Sequence, residues 1–380
     1  MPNTQTTSPQ ELAKKLQTIG AAFHLPGLFF SYEEVRAGNV NHTYKVNYIM
    51  DDGQGMARIK SYIVQRLNSF AFRNPIQLME NIDKVTEHIR RKRPGAMNLH
   101  YHHTDVTGER KTFLMEGNDL WRIINYVPSI TCDSCEDPQV VRNAGIAFGD
   151  FQKSLEDFQA TELAETIPDF HNTRKRYQQL REAIQENPCG RYAEVQPEAE
   201  YLLSVESSAC RLTDLEKARE LPLRVTHNDT KINNVLFDPN TRQALVVIDL
   251  DTVMPGLVAH DFGDAIRFAA NFTEEDSQDT AKTGLDLNTY WAFADGFLSQ
   301  TATGLTDTEL NTLGHSPFCL ACELATRFLT DYLLGDPYFK IRYPEHNLVR
   351  ARCQIALSRD MAVKLDAMQA IVDGCAKKYR

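Results

Sequence analysis

The sequence predicts an α+β protein in two parts: a strand-rich portion over residues 1–127 and a mostly helical portion over 128–380. Three observations carry this reading. Short runs rich in Val, Ile, Tyr and Phe, broken by turn residues, crowd the first third of the chain. Beyond Pro128, long stretches repeat apolar residues at helical spacing. A chain of 380 residues with 42% hydrophobic content can also bury a sizeable core and divide it between two subdomains. A join of this kind is expected to form a ligand cleft.

The elements follow in order. Ser8 as N-cap, Pro9 at the first helical position and Glu11 as the far side of a capping box open a helix over ELAKKLQTIGAAF. GLFFSYEEV, HTYKVNYIM and ARIKSYIVQRL read as strands, the last two joined by the turn DDGQG. Asn74-Pro75 starts a helix over PIQLMENIDKVTEHIRRK, and the basic run Arg90–Arg93 suits its C-terminal end. MNLHYHH, KTFLM and LWRIINYV read as further strands. QVVRNAGIAFGDFQKSLEDF, NTRKRYQQLREAIQ, LNTYWAFADGFLSQ, CLACELATRFLTDYLL and the run from Asn347 onward read as helices. LRVTHND, NNVLFD and ALVVIDLD interrupt them as strand-like pieces.

Bulk properties exclude several functions. A net charge of −10 argues against a nucleic-acid groove or an anionic membrane surface. The opening MPNTQTTSPQ lacks the apolar core of a secretory signal, and no run approaches the length of a membrane span, so a soluble, cytoplasmic protein is expected. The eight cysteines are then reduced thiols. Cys132/Cys135 and Cys319/Cys322 have zinc-ligand spacing, but the second pair sits in an apolar helical run where Cys packs as a small hydrophobe.

The stretch THNDTKINNVLF, followed by VVIDLDTVMPG, carries the chemistry. It contains His227-x-Asp229-x-x-x-x-Asn234, then a strand, a turn at Asp238-Pro239-Asn240 and a second strand ending at Asp249. A hairpin of that length returns Asp249 beside Asn234. Asp and Asn singly are common turn formers. Together they supply hard oxygen ligands for Mg²⁺ and a separate carboxylate to orient an attacking hydroxyl, the parts of a phosphoryl-transfer site.

HNDTKINNVLF with VIDLD resembles the signature of the aminoglycoside phosphotransferase and choline kinase superfamily, a relative of the protein kinases. The resemblance implies a protein-kinase-like two-lobed fold using ATP and Mg²⁺. It implies Asp229 as catalytic base, Asn234 and Asp249 as Mg²⁺ ligands, and His227 as organiser of the loop. The literal Asp261-Phe262-Gly263 falls where the family has an Asp opening a helix, so Asp261 is read as a support of the catalytic loop, by hydrogen bonding or helix capping. RAGNVNHTYKV has the position of the phosphate-covering loop, with Gly38, Asn39, Asn41 and Thr43 as candidates. The family expects a Lys or Arg on the third strand. Arg66 shares a face with Val64 and can bind phosphate by a fork, and either Glu80 or Glu87 is expected to orient it, Glu80 being preferred. Arg66 departs from the more usual Lys, which bears on donor affinity. Asn125, Tyr126 and Val127 resemble the kinase hinge.

YIVQRLNSFAFRNPIQLMENI, IPDFHNTRKRY, DLDTVMPG and ELATRFLTDYLLGDPYF together resemble the N-acetylhexosamine 1-kinases over most of the length. This implies phosphorylation of the anomeric hydroxyl of N-acetylglucosamine or N-acetylgalactosamine. Arg327 and Asp331 lie on one helical face, as sugar contacts or as an i,i+4 ion pair, and the turn Gly335-Asp336-Pro337 would present Tyr338. His171 is a further polar candidate, with Asn172 or Thr173 capping the next helix. The rival readings are a kinase of an amino alcohol or aminoglycoside, which the acidic balance would suit, and a silent nucleotide-binding protein. A monomer or weak homodimer is expected.

Overall fold

A computed structural model describes residues 8–35, 40–51, 57–68, 72–132 and 137–380. The chain divides into two compact units, Met1–Pro128 and Ser129–Arg380. The first is built on helix α1 (Pro9–Ala22) and five strands: β1 (Leu28–Val35), β2 (His42–Asp51), β3 (Ala57–Arg66), β4 (Phe113–Glu116) and β5 (Asp119–Asn125). They form one antiparallel sheet in the order β1-β2-β3-β5-β4. Helix α2 (Pro75–Lys92) links β3 to β4. The capping box at α1 is closed as its sequence requires: the Glu11 amide donates to Ser8 Oγ and the Ser8 amide to Glu11 Oε2.

Strand alternation decides what each face of the sheet meets. Tyr44, Val46, Tyr48, Tyr62, Val64, Trp121 and Ile123 point to one side and pack with Leu16, Ile19 and Phe23 of α1. The other side meets α2, whose Met79 touches Arg122 of β5. MNLHYHH does not form the expected strand. It touches β5 through the isolated bridge Tyr101↔Ile124 and two hydrogen bonds, His102 N–H to Ile123 and Asn125 N–H to His100, because β4 already takes the first half of that edge.

On α2, Asp83 accepts the Thr112 hydroxyl at 2.7 Å, and burial pushes its carboxyl up to about 6. A carboxyl whose pKa is raised by folding stabilises the fold below its unfolded pKa and loses that contribution as pH rises through about 6. Asp83→Asn keeps an acceptor for Thr112 and does not titrate. Its melting temperature should exceed the wild type's by a few degrees at pH 7.5 and match it at pH 4; an equal difference at both values would locate the effect elsewhere.

The second unit holds α3 (Pro138–Ser154), α4 (Thr173–Glu186), α5 (Gln196–Ala209) and α6 (Arg211–Lys217). The short strands β6 (Arg224–Thr226), β7 (Val235–Phe237), β8 (Ala244–Val247) and β9 (Met254–Gly256) follow. Then come α7 (Val258–Ala269), α8 (Leu287–Thr301), α9 (Asp307–Leu313), α10 (Ser316–Leu333) and α11 (His346–Tyr379). Cys319 and Cys322 are buried within α10, where burial raises both thiols, so they are core residues; Cys135 lies outside the described residues. No described helix is long and apolar enough to cross a membrane.

Helices α3 and α8 approach through glycines. A Cβ on Gly296 would lie 2.1 Å from the Arg142 carbonyl oxygen, and one on Gly145 would lie 2.4 Å from that of Phe293. Backbone sits on both sides, so no side-chain rotation relieves the clash. Gly296→Ala should therefore cost about 3 kcal/mol, measured by denaturant unfolding, despite Ala's better helix propensity. A stabilised Gly296→Ala protein would contradict this packing.

Candidate active site

Two small antiparallel ladders, β6 with β9 and β7 with β8, bracket the loop 227–234. Pairing of Val235 with Val247 returns the chain toward Asn234. Ile248 continues that pairing: its N–H donates to the Asn234 carbonyl at 2.8 Å, and its own carbonyl lies 2.8 Å from His227 Nε2. The peptide just before Asp249 is thus clamped between Asn234 and His227. Asp249 then turns through φ 59° and ψ 56°, a left-handed conformation uncommon for a residue with a side chain. Past it, the Thr252 hydroxyl donates to the His227 carbonyl at 2.6 Å, and Asn228 Nδ2 donates to the Thr252 carbonyl at 2.9 Å. The two segments are stitched together along their length, which makes neighbours of Asn234 and Asp249.

Asp229 projects from this loop with its side chain one-quarter exposed. Asn234 Nδ2 donates both to the Asp229 backbone carbonyl (2.8 Å) and to its Oδ2 (3.1 Å), so the amide's oxygen, Oδ1, faces away from Asp229. Oδ1 of Asp229 lies 2.9 Å from Lys231 Nζ. Lys231 was not among the expected site residues, although it stands two positions after Asp229 in the same polar loop. Burial works to lower its pKa, yet Asp229, Asp264 and Glu275 hold it above the ordinary lysine value. It is a firmly protonated cation beside the Asp229 carboxylate.

The loop is held from below by α7. Asp261 is 1% exposed, and its carboxylate accepts the amides of His227 (2.9 Å) and Asn228 (2.7 Å) and the side chain of Gln152 (2.6 Å). Its backbone carbonyl takes the Thr230 hydroxyl at 2.6 Å. Burial keeps this carboxyl above the usual range despite those donors. Asn228 sits at φ 63°, and the Asp261 carboxylate fixes that turn. The alternative of helix capping is corrected: Leu257 is the N-cap of α7, and Asp261 lies inside its first turns.

His260, one residue before Asp261, packs on His171 with ring centroids 4.6 Å apart. Burial drives the His260 imidazole down to about 3, so it is neutral. His171 Nδ1 lies 3.0 Å from Glu323 Oε1, and the Thr173 hydroxyl donates to Glu323 Oε2 at 2.7 Å. Burial pushes the Glu323 carboxyl up, but His171, Arg327 and Thr173 together bring it to about 2. Asn172 caps α4 by accepting the Lys175 amide at 3.1 Å. One turn beyond Glu323 on α10, the Arg327 guanidinium lies between the rings of Phe170 (5.8 Å) and Phe339 (5.4 Å).

Tyr338 is 71% exposed. Asp331 does not sit beside it as a free contact. It is 5% exposed, and its two oxygens accept the amides of Tyr338 and Phe339 (2.9 Å each) and the side chain of Asn347 (2.9 Å). Positive φ at Gly335 and Asp336 folds the chain back over the end of α10, so Asp331 latches the turn that presents Tyr338.

In the first unit the expected pair of Arg66 with Glu80 does not form. Arg66 Nη1 lies 3.3 Å from Asp119 Oδ2, with its guanidinium over the Trp121 ring; Glu80 is exposed, and Glu87 pairs with Arg90. The reason is parity: Arg66 shares the face of Tyr62 and Val64, and that face meets α1 rather than α2. Asn41 Oδ1 accepts the Asn68 amide at 3.1 Å, and Thr43 Oγ1 accepts Gln65 Nε2 at 3.1 Å. Asn125 donates its amide to His100, and its Oδ1 lies 2.8 Å from His102 Nε2; Lys45 Nζ stands 4.7 Å from the Tyr126 ring centroid, and Val127 follows β5. Gly38 and Asn39 lie outside the described residues.

The chain belongs to the phosphotransferase enzyme family, whose model matches residues 31–297. Among solved structures it is similar to a microcompartment-associated aminopropanol kinase, at 13% identity and a TM-score of 0.58, covering 94% of this chain and 98% of that one. It is similar to choline kinase from Cryptosporidium parvum Iowa II, at 10% identity and a TM-score of 0.56, covering 97% and 100%. It is also similar to the spectinomycin phosphotransferase APH(9)-Ia solved with ADP and spectinomycin, at 10% identity and a TM-score of 0.57, covering 93% and 98%. At these identities the likeness is one of fold, kinase-like with an antiparallel sheet followed by a helical region.

Proposed function

We propose that this phosphotransferase uses ATP and Mg²⁺ to phosphorylate the anomeric hydroxyl of an N-acetylhexosamine. The observation that carries the reading is the Asp229–Asn234 contact, joined through Ile248 to Asp249. Asp229 would accept a hydrogen bond from the acceptor hydroxyl and take its proton as the new O–P bond forms and the bond to the ADP oxygen breaks. Lys231 stays protonated beside it, supplying positive charge where negative charge moves. Asn234 Oδ1 and the Asp249 carboxylate would hold Mg²⁺, which neutralises phosphate charge when bound. Among the described residues no group of three or more His, Cys, Asp or Glu could hold a metal alone. Mg²⁺ takes one or two protein oxygens and completes its shell with phosphate and water.

For the acceptor, Arg327 between two aromatic rings and the exposed Tyr338 offer fixed donors and apolar faces. That combination suits a neutral, hydroxyl-rich ring. A cationic acceptor is the second reading, since similar folds include the choline and aminopropanol kinases, and a net charge of −10 would attract one. The Arg327 guanidinium, over the Phe170 and Phe339 rings, disfavours a second cation there. The test is a panel of N-acetylhexosamines, other sugars and amino alcohols with ATP and Mg²⁺, read by phosphorus NMR. A sugar 1-phosphate is expected; a 6-phosphate or a phosphorylated amino alcohol would refute the anomeric assignment.

A further inference from the structure

Two residues in the paired segments of the site are left-handed, and neither is a glycine: Asn228 at φ 63° and Asp249 at φ 59°. Backbone of this kind persists only where its surroundings fix it. On one side Asp249 is fixed by Ile248, whose amide and carbonyl are held by Asn234 and His227. On the other side the chain makes one short turn, Leu250–Thr252, and Thr252 is held by the same loop. Its hydroxyl donates to the His227 carbonyl at 2.6 Å, and its own carbonyl accepts Asn228 Nδ2 at 2.9 Å. Asn228 Oδ1 in turn accepts the Thr226 hydroxyl at 3.1 Å, and that hydroxyl lies 3.0 Å from the Met254 carbonyl. Thr226 and Asn228 are buried, and Gly256 leaves them room. A Cβ there would lie 2.3 Å from Thr226 Oγ1 and 3.1 Å from Asn228 Oδ1.

We propose that Thr252 and Asn228 are positioning residues for Asp249: their clasp holds its left-handed turn, and with it the place of its carboxylate as a ligand of the divalent cation. This deepens the phosphotransferase reading above and rests on it. Neither side chain needs to touch the ion or the nucleotide. Only residues 249–251 lie between the two fixed points, Ile248 and Thr252. Releasing the second point lets Asp249 relax toward ordinary negative φ. A ligand already held by its neighbours binds an ion more tightly than one that must be ordered as the ion arrives. Asparagine suits position 228 on two counts. It tolerates left-handed backbone, and its amide supplies the donor that Thr252 accepts. Glycine would keep the turn and lose the link, and aspartate would offer Thr252 no donor.

Titration calorimetry with ADP, on the full chain, in Mg²⁺ and again in EDTA, separates the cation's contribution from general damage. Thr252→Val keeps the shape and removes the hydroxyl. It should lower ADP affinity in Mg²⁺ by about tenfold or more, while affinity in EDTA stays within about twofold. Thr252→Ser, which keeps the hydroxyl, should respond to Mg²⁺ as the wild type does. Asn228→Gly should match Thr252→Val, and it decides the matter if the valine variant does not fold. Equal losses in Mg²⁺ and EDTA, or a serine variant as impaired as the valine one, would overturn the assignment. A wild-type protein whose ADP binding Mg²⁺ does not strengthen would overturn the metal-assisted phosphotransferase reading itself, and the clasp with it. Wild-type strengthening by Mg²⁺ that survives in Thr252→Val would leave that reading intact and remove only this inference.

Discussion

Asp229→Asn should reduce turnover by about 10²- to 10⁴-fold, the range for removing a general base, while ADP affinity stays near the wild-type value. The expectation follows from what each oxygen of Asp229 does. Oδ2 is steadied by Asn234 and Oδ1 faces Lys231, so the carboxylate is positioned without being sealed off. Asn keeps the size and one acceptor but cannot take a proton. The ion pair with Lys231 is lost as well, yet it is partly exposed on both sides, so little stability goes with it. A coupled assay of ADP release, run beside calorimetry with ADP, checks both halves. Turnover near the wild-type rate would remove Asp229 from the base role; loss of ADP affinity in parallel would mean that the loop, and not the proton transfer, had failed.

Asp261→Ala is expected to be the most damaging single change in the second unit. It strands two buried backbone amides, those of His227 and Asn228, together with the Gln152 side chain. Each unsatisfied buried donor costs about 1–3 kcal/mol, so the sum for these three, about 3–9 kcal/mol, is a large part of a typical folding free energy. The left-handed turn at Asn228 also loses the carboxylate that holds it, so activity should fall even in whatever fraction folds. Denaturant unfolding and steady-state rates measure the two effects separately. An Asp261→Ala protein with wild-type stability and rate would mean that these amides find other acceptors, and the support role would be lost.

Local features of the fold were readable where the signal is local. The capping box of α1 needs Ser8 and Glu11 three residues apart and nothing else, and both hydrogen bonds form. The spacing from Asp229 to Asn234, followed by a hairpin back to Asp249, is likewise short-range. MNLHYHH misled because its alternation describes a strand that the occupied edge of β5 cannot fully accept. Helices α5 and α6 went unread, since QPEAEYLLSVESSA buries few residues and its periodicity is faint. Lys231 was legible by position but not by charge environment. Asp264 on α7 and Glu275 beyond it hold it protonated, and their distance from the loop along the chain hides that.

Composition and spacing alone determined which side chains share a face, which caps close and which oxygen-bearing residues fall within one hairpin. They could not say what each face meets. Alternation along β3 separates Gln65 from Arg66 with certainty, but only the packing of α1 on one side and α2 on the other decides which of them looks toward Met79. The same holds for Asp331, whose helical position was clear while its partners, the amides of Tyr338 and Phe339, arrive through a turn set by positive φ at Gly335 and Asp336. Periodicity is a relative property of one segment. The layer that covers a face, and therefore what each charge on it meets, is settled by contacts between segments far apart in the chain.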